Sequence, residues 1–162
     1  MKITTFLVIA GIASVACAQT SVYYLSDSDN DRLNAYQGTV QQWDMPQQFG
    51  DEYPLAVVNG EIRTVGSFPG FSGGSYDLLG NYTGGTYPNS TNETHWDSTS
   101  DNQSNYLVGW GTNNVYSTDT SYQNPALLFN AAGGDALGIT YDGTNNSLWI
   151  ADFSGGRVTN YD

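Results

Sequence analysis

The sequence predicts an all-β fold, a β-propeller of roughly three and a half four-stranded blades that is incomplete at its C-terminal side. Three observations predict it. Beyond residue 20 no apolar pattern has helical spacing, and short alternating runs bounded by Gly, Asn and Asp replace it. Two distant segments align without a gap at an offset of 125 residues. The aliphatic anchors Leu25, Val65, Val108 and Ile150 then recur at spacings of 40, 43 and 42 residues. A period in the forties built only of strands describes blades, because one small sheet cannot bury both of its faces without neighbours.

Residues 1–18 read as a signal peptide. Lys2 supplies the basic start, Phe6 to Val15 the short apolar core, and Ala16-Cys17-Ala18 the small residues before cleavage, after Ala18. Cys17 also admits a second reading, as an attachment point for lipid. Cleavage would leave residues 19–162 without a cysteine, so neither disulfides nor thiolate chemistry would be available. No later stretch is apolar for long enough to span a bilayer. The expected location is secreted, periplasmic or on the cell surface.

The elements follow in order. Tyr24-Leu25-Ser26-Asp27 runs through Asp31-Arg32-Leu33 to Tyr36, and Trp149-Ile150-Ala151-Asp152 runs through Gly156-Arg157-Val158 to Tyr161. Each is a strand, an Asp-led turn and a strand. Leu55 to Val58 and Glu61 to Val65 flank Asn59-Gly60, a strong hairpin signal. Trp96-Asp97 before Tyr106-Leu107-Val108 parallels Tyr141-Asp142 before Leu148-Trp149-Ile150. Pro125 to Phe129 closes one blade, and 137–141, 147–152 and 157–161 form three strands of the next. Residues 72–105, rich in Gly, Ser, Thr and Asn, read as an insertion of the kind that carries function in repeat proteins.

Composition narrows the function. Sixteen acidic residues face four basic ones, for a net charge of −12. Such a chain repels phosphate backbones and anionic lipid, which excludes electrostatic nucleic-acid binding and a polybasic membrane patch. A hydrophobic fraction of 39% with 14% aromatics is too much apolar surface for a disordered chain.

The unit Leu148-Trp149-Ile150-Ala151-Asp152 with Gly155-Gly156-Arg157-Val158 and Tyr161-Asp162 resembles the blades of NHL-type and virginiamycin-B-lyase-like propellers. It is also similar to exported bacterial propellers that carry PEP-CTERM sorting tails. The resemblance covers 137–162 best and 22–37 next. It implies the fold and not the activity, since propellers host lyases, hydrolases, lectins and scaffolds. The lyase's catalytic residues cannot be carried over, because no His-containing motif occupies a matching blade position.

Several residues are candidate sites. Asp27, Asp29 and Asp31 alternate as in the first half of a calcium loop. Arg32 and Gly38 stand where that loop needs Gly and Glu, and only Asp27 recurs in the second copy, as Asp152. The alternative is a solvated turn capped by its own carboxylate. Gly70-Phe71-Ser72-Gly73-Gly74 has the form of a serine nucleophile elbow but lacks the helix such an elbow precedes. His95, the only histidine, is a candidate ligand or base beside Asp97, or a packed core residue. Arg32 and Arg157 recur, which favours a structural role, pairing with a turn Asp or with carbonyls of a neighbouring blade. Trp43 and Trp110 lie beside turns and are candidate ligand-stacking residues. No cofactor is implied beyond a possible calcium ion. The expected role is a binding or scaffold module for an extracellular protein or glycan. The alternative is part of a propeller hydrolase or lyase whose catalytic residues lie mainly in further blades.

Overall fold

The structure, a computed structural model, describes residues 21–162. The expected signal peptide and Cys17 lie outside the described residues. Strands and turns make up the whole of the described chain.

Fourteen strands form four antiparallel sheets. The first contains β1 (Val22–Asp27), β2 (Arg32–Gln37) and β3 (Val40–Pro46). The second contains β4 (Leu55–Val58), β5 (Glu61–Thr64), β6 (Ser72–Tyr76) and β7 (Tyr82–Pro88). The third contains β8 (His95–Ser100), β9 (Ser104–Gly109), β10 (Asn114–Asp119) and β11 (Ala126–Asn130). The fourth contains β12 (Ala136–Asp142), β13 (Ser147–Asp152) and β14 (Arg157–Tyr161). Every sheet is a meander in sequence order.

Turn chemistry explains the strand ends. Asn59 and Gly60 both have positive φ, 51° and 83°, as the tight turn between β4 and β5 requires. Asp27 accepts hydrogen bonds from Asp29 N and the Asn30 amide. Asp77, Asp119 and Asp142 close their own turns in the same way, each accepting a backbone N–H two residues on and a following Asn side chain. Asp101 and Asp152 likewise accept from Ser104 N and Gly155 N. These bonds hold all six carboxyls below their ordinary range. Much of the acidic excess is therefore spent on turns.

The 125-residue offset holds to the register. Asp27 pairs with Arg32 across β1 and β2, and Asp152 pairs with Arg157 across β13 and β14. The arginines do different work. Arg157 meets Asp152 at 3.3 Å, as the turn-Asp expectation has it, whereas Arg32 pairs with Asp44 on β3.

Alternation puts one apolar set on each face, and adjacent sheets share them. Leu33 meets Ile62 and Tyr76 between the first and second sheets. Val65, Leu107 and Tyr122 join the second to the third. Val108 and Val115 meet Ile139, Leu148 and Ile150 between the third and fourth. Repeat-equivalent residues then separate by position in the array. Leu33 is 0% exposed and its equivalent Val158 is 62% exposed. Ile150 is 3% exposed and its equivalent Leu25 is 48% exposed. Inner interfaces are covered; the outward faces of the two terminal sheets are not.

The expectation of an insertion at 72–105 is corrected. That segment contains β6, β7 and β8 and the start of β9. Its glycines serve packing: a Cβ on Gly73 would lie 2.4 Å from the Thr64 backbone. Gly70-Phe71-Ser72-Gly73-Gly74 is thus a turn entering a strand, with Gly70 at φ 84° and Ser72 paired to Pro88.

Candidate functional site: a cleft shared by all four sheets

The first strands of the four sheets meet around one cleft of about 350 Å³. β1 and its turn supply Tyr24, Leu25, Ser26 and Ser28; β4 and the loop before it supply Leu55 and Tyr53; β8 supplies Trp96 and Asp97; β12 supplies Leu137. Residues far apart in sequence converge because each sheet places its first strand toward the same centre.

Two local features set the chemistry. The ladder between β8 and β9 shifts register between His95 and Ser98. This irregularity spans Trp96 and Asp97, and such irregularities re-aim side chains. Trp96 stacks on Tyr53, with centroids 5.1 Å apart and planes at 17°, and meets Trp110 edge-on at 5.5 Å. Its indole Nε1 is buried and has no hydrogen-bond partner among the described residues. Asp97 accepts Ser98 N through Oδ1 and Ile139 N on β12 through Oδ2, both at 2.9 Å. Burial nevertheless outweighs those bonds and pushes its carboxyl up to about 6.

The loop carrying Tyr53 is held from below by Glu52, which is 0% exposed. The Tyr76 hydroxyl lies 2.9 and 2.8 Å from its two oxygens, Gly74 N donates at 3.0 Å, and Phe49 N and the Thr64 hydroxyl also donate. Burial pushes Glu52 up while these donors hold it down. Its carbonyl accepts from Ser26 of β1, tying the first sheet to the second. The Tyr53 hydroxyl hydrogen-bonds Asp51; that bond, burial and the charges of Asp51, Asp31 and Asp29 push it up to about 12.

The residues singled out from sequence fall in different places. Trp110, 46% exposed, touches the cleft only through Trp96. Trp43 lies on β3 against Tyr24, its Nε1 donating to Leu78 O at 3.1 Å. His95 is 0% exposed, its ring nitrogens engaged by Val108 O and the Thr91 hydroxyl, and burial holds its imidazole below the ordinary range. Asp27, Asp29 and Asp31 do separate jobs: Asp27 caps its turn, Asp29 donates its N–H to that cap, and Asp31 accepts from Asp51 N at 3.3 Å. Among the described residues no group of three or more His, Cys, Asp or Glu is gathered so as to hold a metal ion. Sequence reasoning did not place Tyr53, Trp96 and Asp97 at a site. The available signal was Trp96-Asp97, two bulky or charged residues opening a blade.

No family model matches the chain, and no curated protein does. Solved structures do. The chain is similar to a chain in the nidogen/laminin complex, with a TM-score of 0.60 and 11% identity, over 86% of this chain and 55% of that one. It is similar to virginiamycin B lyase from Staphylococcus aureus, with a TM-score of 0.55 and 11% identity, over 85% and 50%. A streptogramin B lyase gives 0.57 and 15%, over 85% and 46%. The chain thus spans about half the length of the structures it matches. These likenesses show the fold, a β-propeller. No helix among the described residues is long and apolar enough to cross a membrane.

Proposed function

We propose that this chain is the ligand-holding part of an exported propeller, a binding module that takes a group on an extracellular protein or glycan into the shared cleft. The observation that carries it is the lining: stacked Tyr53 and Trp96, the aliphatics Leu25, Leu55 and Leu137, and one convergent carboxyl, Asp97. Ser26 and Ser28 add hydroxyls to that lining, so the cleft offers ring and aliphatic surface together with a few placed polar groups, the combination by which binding sites fix a ligand. The signal-peptide pattern of residues 1–18 supports the export part of this reading, and the NHL-type blade resemblance supports its propeller part.

One observation favours a second reading, part of a propeller hydrolase or lyase. A carboxyl raised to about 6 in a cleft is suited to general acid or base work. The test separates the two. The chain and its Leu137→Arg variant, which fills the cleft, are applied to immobilised glycans and to secreted proteins. Retention of a chemically unchanged ligand by the parent and its loss in the variant is the expected result. Equal retention by both overturns the cleft as the site. Mass spectrometry showing a cleaved or eliminated product, abolished by Asp97→Asn, assigns catalysis instead.

A further inference from the structure

We infer that the cleft accepts an alkylammonium group, either a lysine side chain of a partner protein or the end of a free alkyl diamine; this rests on the cleft being a binding site. Its lining contains one carboxyl, Asp97, and no Lys, Arg or His. The arginines of the described chain are committed elsewhere, Arg32 to Asp44, Arg63 to Glu61 and Arg157 to Asp152. A carboxylate withdrawn from water without a cationic partner is costly, and an incoming ammonium offsets that cost.

The walls favour the same charge. Tyr24, Tyr53 and Trp96 place three aromatic rings in the lining, and ring quadrupoles attract a cation rather than an anion where a face is reached. The charges of Asp29, Asp31 and Asp51 reach the hydroxyl of Tyr53, so the field at this wall residue is negative. Each Asp97 oxygen already accepts one backbone N–H. A guanidinium needs both oxygens in a fork, whereas an ammonium is a point charge that needs one remaining lone-pair direction. Leu25, Leu55 and Leu137 supply apolar surface for an alkyl stem. A cleft of about 350 Å³ has room for such an arm.

The experiment titrates the whole chain with 1,5-diaminopentane, with its neutral isostere 1,5-pentanediol, with a blocked peptide containing one lysine, and with a neutral disaccharide. Calorimetry and tryptophan fluorescence report binding. The amine is expected to bind at least tenfold more tightly than the diol. Asp97→Asn is expected to abolish that preference. Because Asp97 also bonds β12, Leu137→Lys provides a second variant, in which a tethered ammonium occupies the cleft and blocks the diamine. Tighter binding of the peptide than of the diamine supports the inference with a partner protein as the source; the reverse supports it with a free amine. Equal binding of diol and diamine overturns it, as does a folded Asp97→Asn chain that binds the diamine unchanged. Disaccharide binding blocked by Leu137→Lys, without any response to the amines, overturns the ammonium inference and leaves the binding module standing.

Discussion

Replacing Glu52 by alanine tests how the cleft is supported. Glu52 is fully buried and receives donors from Phe49 N, Gly74 N, Thr64 and Tyr76. The four are not equally exposed to its loss. Gly74 N also donates to the Thr64 hydroxyl at 2.8 Å, and that hydroxyl lies 3.2 Å from Gly74 O, so both keep a partner. Phe49 N and the Tyr76 hydroxyl lose theirs. Two stranded buried donors cost about 1–3 kcal/mol each, and removal of the buried side chain adds about 1 kcal/mol. The expected destabilisation is about 3–7 kcal/mol, a large part of the 5–15 kcal/mol that holds a typical domain. Glu52→Gln keeps one acceptor but turns an NH₂ toward donors, and should lose about half as much. Urea unfolding at constant slope measures both. A loss below about 1 kcal/mol for Glu52→Ala would refute the assignment of Glu52 as the anchor of the Tyr53 loop.

Stability should respond to pH in two opposing directions. Asp27, Asp77, Asp101, Asp119, Asp142 and Asp152 are depressed in the fold, so their contribution is present above about pH 4 and is lost as pH falls through their folded values. Asp97, raised to about 6, acts oppositely: its contribution is full below about pH 4 and is lost as pH rises to about 6. Between about pH 4 and 6 His95 opposes it, because its depressed imidazole gives stability that grows as pH rises; Asp97→Asn should therefore make denaturant midpoints climb more steeply with pH in that window than the parent's, and an unchanged slope contradicts this. Gly73→Ala should cost about 3 kcal/mol in the same assay, because its Cβ meets the Thr64 backbone and cannot yield as a flexible side chain would. Val158 and Trp149, 62% and 39% exposed on the outward face of the fourth sheet, should make the chain self-associate with concentration. Val158→Glu should reduce the association in sedimentation runs, and an unchanged profile would place the contact elsewhere.

The repeat was legible because β1–β2 and β13–β14 keep aliphatic, Asp and Arg at fixed spacing, and a period of two admits no slip without turning the apolar set outward. Asn59-Gly60 was legible as a turn for a local reason, its backbone geometry. Within 72–105, Tyr76 and Trp96-Asp97 marked strands, and β7 was not legible as one. β7 lies at the outer edge of its sheet, and five of its seven residues face solvent while Gly85 and Tyr87 are half-buried, so no apolar alternation marks it. Polar composition there reports edge position rather than a loop. The cleft was hidden for another reason. Asp97 gains its environment from a register shift and from Ile139, a residue of the next sheet. Neither leaves a trace in local spacing. His95 drew attention by rarity, yet its ring nitrogens are engaged by Val108 O and the Thr91 hydroxyl.

The meander order of every sheet has a consequence for how the chain acquires its structure. Each strand pairs only with the strand before and after it. Among the described residues no sheet waits for a distant segment, so the loop-closure entropy of each step is that of a short turn. A chain emerging from its N-terminus, from a ribosome or a translocation pore, can complete the second sheet before the third exists. The slow steps are then the dockings of finished sheets, at Leu33–Ile62, Val65–Leu107 and Val108–Ile139. The cleft forms last of all, since it needs Leu137 of β12 beside Tyr24 of β1. Assembly of the ligand site would therefore report the arrival of the fourth sheet.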